Sequence, residues 1–343
     1  MKFGSPWRIL LVGEPDGVNL ESSYARALEA LGHQVTTFAF ETNLRNYIRL
    51  GRLGRIFHTF VPVSQWLRKV NRELVVAVLK NQPDLVIVFG SIQIQVGALA
   101  QIRASTKTHL AWVWPDTLLN LTDGIIGCLP LFHSVFSYSS TAVPLLQRLH
   151  VERVAWLPLA GDPLMHNQEE LSPAEQNAFA AEVSFIGGWR PEREAALRQL
   201  LHLNLKIWGP DWGRLAREPR VRRAWQGRAL RGSEFAKAVS ASLLNLNVID
   251  DTNMPAANMR FFEIPTAGGA QLCSPCPEMA AQFRDREHLF YYQTSEDLPA
   301  LAAELLKDQT ACRTVARAGR DLVLAQHTYE HRAQTMCRFV SSN

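Results

Sequence analysis

The sequence predicts two successive α/β domains, each a parallel sheet layered with helices. Three observations carry this reading. The chain of 343 residues is long enough for two domains of ordinary size. The runs that read as strands are continuously apolar rather than alternating, so both of their faces are buried, as in a doubly wound sheet. The alternation of strand and helix runs once, resets near residue 160, and runs again.

The elements follow in order. WRILLVGEPDG (7–17) is an apolar run ending in Gly and a polar loop. Residues 24–31 then have helical spacing, and HQVTTFAF (33–40) is rich in β-branched and aromatic residues. This is a β-loop-α-β opening. Further strands are expected at DLVIVFG (84–90), HLAWVW (109–114), HSVFSYS (133–139) and RVAWLP (153–158). The polar, Pro-containing stretch 159–177 reads as a linker. A second series then begins with VSFIG (183–187), LKIWG (205–209), SLLNLNVI (242–249), GAQLC (269–273) and HLFYY (288–292). Helices are expected at 192–202, 259–267 and 296–307, and from about residue 308 onward. A cleft is expected between the two domains.

Hydrophobic residues make up 47% of the chain and charged ones 20%, which excludes disorder and collagen-like sequence. The formal net charge of +4 is unevenly spread. Residues 45–72 hold seven Lys/Arg and no acid, and residues 214–231 hold seven Arg and one acid, so the rest of the chain sums to −9. The first segment interleaves Arg45, Arg49, Arg52, Arg55, Arg68, Lys69 and Arg72 with apolar residues, and Arg45, Arg49 and Arg52 fall on one helical face. It suits a peripheral membrane contact or a phosphate-bearing acceptor, with a solvated helical hairpin as the alternative. Nucleic acid is not expected as a partner, because no nucleic-acid motif accompanies the charge.

Five cysteines at irregular spacing argue against a disulfide framework and for a reducing, cytoplasmic compartment. The pair in Cys273-Ser-Pro-Cys276 lacks the partners of a zinc site and reads as a structural loop. No signal peptide is recognisable. The uncharged stretches 85–102 and 124–147 are broken by Gly, Pro and polar residues, and read as buried strand, turn and helix rather than membrane spans.

Several chemistries lose support from absent motifs. There is no GxGxxG after the first strand, no GxxxxGK[ST], no HExxH, no GxSxG and no Asp-x-Asp. The most informative segment is NMRFFEIPTAGGAQL (258–272). Asn258 suits a helix N-cap, and the N–H groups of a first helical turn form an anion site. Arg260 and Glu263, three apart, share a helix face. An Arg can fork onto phosphate oxygens, and a Glu can accept bonds from the vicinal hydroxyls of a ribose. Together they suit a nucleoside diphosphate. The residues alone leave open an ordinary Arg–Glu helix pair ended by Gly268 and Gly269.

Here the sequence resembles a family. NxRxFEIxxxGG, with Pro277-Glu278, HLFYYQTSEDL (288–298), HTYEHRAQTM (327–336) and EVSFIGGWRPERE (182–194), resembles the C-terminal half of CgeB-like, group 1-type glycosyltransferases. WVWPDT (112–117) resembles their N-terminal half more loosely. The resemblance implies the GT-B architecture of two Rossmann-like domains facing across a cleft, with the C-terminal helix crossing back. It implies an acceptor-side domain at 1–160, a donor-binding domain at 161–326 and a terminal helix at 327–343 that packs on the first domain. Glu263 matches the ribose-binding Glu of that family. Where many retaining members carry a second Glu eight residues earlier, this chain has Pro255, so the two-glutamate signature is broken and the stereochemistry stays open.

Other positions are assigned beside these. Asn258 and Arg260 are expected at the donor diphosphate. Gly187 and Gly188 permit close backbone approach to a ligand. Arg193, in the first turn of the next helix, is a phosphate candidate, and Arg190 is a weaker one. Trp208 and Gly209 end a strand where a base could rest, with core packing as the alternative. The loop between Gly13 and Gly17 lies at a strand C-terminal end, where open α/β sheets bind ligands. Asp116 and then Asp16 are the candidates for a general base toward an acceptor hydroxyl, each with a turn or cap role as the alternative. The expected activity is metal-independent sugar transfer from a nucleoside-diphosphate sugar to an unidentified acceptor, lipid-linked or phosphorylated ones included. No cofactor is expected, the nucleotide sugar being a co-substrate. The alternatives are an inactive GT-B-shaped binding protein and a sugar-nucleotide epimerase.

Overall fold

The structure, a computed structural model, describes residues 5–14, 16–48, 51–61, 63–90, 93–167 and 170–342, with backbone alone at 59 and 60. The chain divides into two compact units, Met1–Pro158 with Arg332–Asn343, and Leu159–His331.

In the first unit, strands β1 (Arg8–Gly13), β2 (Gln34–Ala39), β3 (Leu85–Phe89), β4 (His109–Trp114), β5 (Ser134–Ser137) and β6 (Val154–Trp156) form one sheet in the order β2-β1-β3-β4-β5-β6. All neighbouring pairs are parallel, with Leu11 opposite Ile87 and Ile87 opposite Ala111. The helices are α1 (Leu20–Ala30), α2 (Phe40–Tyr47), α3 (Gly51–Phe60), α4 (Ser64–Asn81), α5 (Val96–Ser105), α6 (Asp123–Cys128) and α7 (Val143–Gln147). Every residue of β3, β4 and β5 is buried, as continuous apolar runs require, whereas edge strand β2 exposes Gln34, Thr36 and Thr37. On one sheet face Leu10, Val12, Val88 and Trp112 pack against Phe40, Leu74 and Leu99.

The terminal segment completes this unit. Arg332 donates through Nε to the Pro158 carbonyl at 2.9 Å, Arg153 stacks its guanidinium 4.2 Å from the Phe339 ring, and Phe339 meets Phe136 edge-on at 5.4 Å.

In the second unit, β7 (Ala181–Ile186), β8 (Leu205–Trp208), β9 (Ser242–Asn247), β10 (Gln271–Cys273) and β11 (Phe290–Tyr291) form a parallel sheet in the order β11-β10-β9-β7-β8. Its helices are α8 (Pro173–Phe179), α9 (Pro191–Gln199), α10 (Trp212–Leu215), α11 (Pro219–Ala224), α12 (Ser233–Ala241), α13 (Met259–Thr266), α14 (Leu298–Lys307) and α15 (Gln309–Gln326). The last helix, α16 (Tyr329–Ser341), starts here and continues into the first unit. One sheet face packs Phe185, Ile207 and Leu246 against Leu197 and Leu298; the other packs Ile186 and Trp208 against Phe235, Val239 and Ile264.

Two expectations change. Residues 159–167 are not a linker. Gly161 forms a parallel bridge with Thr328, its N–H reaches the His327 carbonyl at 2.9 Å, and Asp162 and His166 are buried. A side chain at Gly161 would collide with Thr266 Oγ1 at 2.1 Å, so close packing set this composition. Arg45 and Arg52 do not share a helix, because α2 ends at the extended residue Ile48; Arg49 lies outside the described residues. All five cysteines are buried thiols without a disulfide. Among the described residues no helix is long and apolar enough to cross a membrane, and no three His, Cys, Asp or Glu are grouped to hold a metal ion.

Candidate functional site

In an open parallel sheet, ligands bind beyond the strand C-terminal ends where the strand order reverses. In the second unit that switch point lies between β7 and β9. Helix α13 begins beside it. Asn258 caps the helix by accepting the Phe261 N–H at 3.0 Å, and it exchanges amide bonds of 2.8 and 3.1 Å with Asn247 at the end of β9. Pro265 lacks the N–H that would bond Phe261, and Gln271 Nε2 takes that carbonyl instead at 3.3 Å. Gly268, at φ +78°, closes the helix through its N–H to the Pro265 carbonyl.

Arg260 and Glu263 meet as the spacing predicts. Arg260 Nη1 bonds Glu263 Oε2, its Nε donates to the Ile186 carbonyl at the end of β7 at 2.9 Å, and its guanidinium lies 4.7 Å from the Phe235 ring centre. Glu263 is 3% exposed. Burial alone would raise its pKa, but Arg260 and His166 together hold it below the usual carboxylate range.

His166 and Asn247 were not singled out in the sequence. The His166 Nε2 stands 3.9 Å from Glu263 Oε1, and its ring meets Phe235 edge-on at 5.1 Å. The one available signal was the apolar run 154–160, which keeps the chain packed into the following turn. That turn is built by Asp162, whose carbonyl accepts the N–H groups of Met165 and His166.

Around the end of β7 the glycines pack backbone on backbone. A Cβ on Gly209, at φ +147°, would fall 1.9 Å from the Gly187 carbonyl oxygen. The indoles of Trp212 and Trp225 donate to the carbonyls of Gly187 and Gly209 at 2.8 and 2.9 Å. The glycine at 188 has only Pro210 near its Cβ direction. Trp208 is 2% exposed and packs against Phe179 in the core, so it offers no face for a base, and the packing alternative holds for it.

Arg193 sits in the first turn of α9 and donates to the Gly188 carbonyl at 2.9 Å. Burial lowers its pKa, opposed by Asp250 and Glu192, and the group keeps its charge. Arg190 is exposed and pairs with Asp250 at 3.0 Å. The Asp250 carboxylate is pushed up by burial, but bonds from Thr252 and Arg190 hold it below its ordinary value. Three arginines and the starts of α9 and α13 therefore collect at one sheet edge, an arrangement that attracts anions.

In the first unit the switch point lies between β1 and β3. Asp16 follows β1 and accepts the Val18 N–H at 3.0 Å. Asp116, two residues past β4, has both oxygens engaged: Oδ1 takes the Thr117 N–H at 2.7 Å and Oδ2 the Asn120 amide at 2.6 Å. Each thus holds a turn. A further carboxylate, Glu21 in the first turn of α1, lies against Gly13, where a Cβ would fall 2.6 Å from its Cγ. Its pKa is raised, mainly by burial and further by Asp16 and Glu14.

Residues 191–338 match the family described as Glycosyl transferase-like. No curated protein matches the sequence. Among solved structures, sucrose-phosphate synthase from Thermosynechococcus elongatus is similar at 13% identity and TM-score 0.67, over 97% of this chain and 98% of that one. The Anabaena protein HepE in complex with UDP is similar at 12% identity and TM-score 0.63, over 98% and 100%. A putative UDP-N-acetylglucosamine 2-epimerase from Listeria monocytogenes gives 12% identity and TM-score 0.60, over 98% and 96%. The fold is GT-B, with two Rossmann-like parallel-sheet domains and helices around them.

Proposed function

We propose that this protein is a glycosyltransferase that takes a sugar from a nucleoside-diphosphate sugar. The observation that carries the reading is the Arg260–Glu263 pair, joined to the end of β7 at the topological switch point of the second unit. The family match over residues 191–338 covers the same segment. Glu263 accepts the ribose hydroxyls. Arg260, Arg193 and the first turn of α13 at Asn258 face the diphosphate, with Gly187 and Gly188 letting it approach the backbone.

In the transfer, the bond from the sugar's anomeric carbon to the diphosphate oxygen breaks, and one to the acceptor oxygen forms. Negative charge grows on the leaving diphosphate, and fixed arginines stabilise it there most. The acceptor hydroxyl gives up its proton to a base, for which Asp116 and Asp16 are the sequence candidates although each also holds a turn. Glu21 is the third, because a raised pKa suits a general base. The arginine cluster and the absence of Asp-x-Asp support chemistry without a metal.

The test is a donor-by-acceptor screen over UDP-, GDP-, dTDP- and CMP-sugars, followed by phosphorus and proton NMR. Release of free nucleotide with a new glycoside, unchanged by EDTA, is the expected result. An epimerised nucleotide sugar with no nucleotide released favours the second reading, which the likeness to the putative Listeria epimerase motivates.

A further inference from the structure

We propose that α3 and the start of α4 seat the first unit on a membrane surface bearing anionic lipid headgroups. Leu53, Ile56 and Phe57 occupy i, i+3 and i+4 positions of α3, so they form a single stripe. That stripe is 74%, 49% and 56% exposed. The helix is held through its other side. Gly54 and His58 are buried, His58 Nδ1 accepts the Val63 N–H at 2.9 Å, and its ring lies 5.4 Å from Trp66. An amphipathic helix in a water-facing surface normally turns its apolar stripe inward. Here the stripe faces out, which marks an interaction site.

Charge identifies the occupant. Residues 42–72 contain seven Lys/Arg and no acid, and Arg52, Arg68, Lys69 and Arg72 are exposed. An apolar stripe flanked by cations is the composition of a helix lying in a lipid interface, with the stripe in the acyl boundary and the cations at the headgroups. A second copy of the chain docked by a two-fold axis would set this basic patch against itself. The α4 residues Arg68, Arg72, Val76 and Leu79 share one face and border a groove of about 810 Å³, with half-exposed Val96 of α5 opposite. The groove gives a headgroup both cations and an apolar wall.

The experiment is co-sedimentation of the full chain with phosphatidylcholine vesicles, and with vesicles that also contain phosphatidylglycerol. Binding to the anionic vesicles alone, weakening with salt, is expected. The combined Leu53→Ser, Ile56→Ser and Phe57→Ser variant should keep its circular dichroism, since the stripe is exposed, and lose binding. Arg52→Gln and Arg68→Gln should each lower partitioning about fivefold. Equal binding to neutral vesicles, or binding unchanged in the Ser variant, would overturn the proposal. So would a concentration-dependent dimer that the Ser variant abolishes.

Discussion

Glu263 is a carboxylate almost out of water, kept ionised by Arg260 on one oxygen and His166 near the other. Removing one member of such a pair strands the other. Arg260→Ala should therefore melt well below the parent, by about 2–4 kcal/mol, whereas Glu263→Gln should cost less. A differential scan of both variants checks this. The pH dependence has two parts with one sign. Glu263 has a depressed folded pKa, so its stabilisation is present above the ordinary carboxylate range and is lost as pH falls through the folded value. His109 is pushed down to about 4, mainly by burial and then by His133. Its contribution is complete above the unfolded imidazole pKa, about 6.5, and declines as pH falls toward 4. Roughly 3 kcal/mol should disappear across that window. His109→Gln can still bond Ser134, which lies 2.9 Å from His109 Nε2, and should flatten that limb of the stability–pH curve.

At the scale of elements, Gly209→Ala should destabilise the β7–β8 corner by about 2 kcal/mol or more, through the collision with the Gly187 carbonyl and its positive φ. Asn258→Ala removes the α13 cap and the amide exchange with Asn247, and should cost about 1–2 kcal/mol. Thermal melts measure both. Most strands were legible as apolar runs because a parallel sheet covered on both faces leaves strand interiors little choice but Val, Ile, Leu and aromatics. Edge strand β2, largely exposed, was instead legible through its β-branched and aromatic residues. The Arg260–Glu263 pair was legible because it is local, three residues apart on one helix. His166 was not, because its contact with Glu263 spans almost a hundred residues and depends on a turn that composition reads as polar linker. Trp208 at the end of β8 has the same sequence signature whether it faces a ligand or the core, and only the packing of Phe179 decides it. The break at Ile48 was equally hidden, since the run of arginines continues through it.

At the scale of the molecule, the chain leaves the first unit at Pro158 and returns to it at Arg332. Ala333, Met336, Cys337 and Val340 are all buried there. Ending the chain after His331 re-exposes apolar surface worth roughly 3–6 kcal/mol for Met336 and Val340 alone. Hydrogen exchange should then speed up in β5 and β6 before it changes in β7 and β9. Binding of a nucleoside diphosphate at the switch point of the second unit, as proposed above, rests on Glu263, Arg260 and Arg193. Isothermal titration of the parent chain with UDP, GDP and dTDP, and with CMP as the monophosphate comparison, repeated on the Glu263→Gln and Arg193→Ala variants, decides it. One nucleoside diphosphate should bind the parent, and both variants, still folded, should bind it at least tenfold more weakly. Binding of none of the three diphosphates, binding of CMP alone, or equal binding by parent and both variants would contradict it.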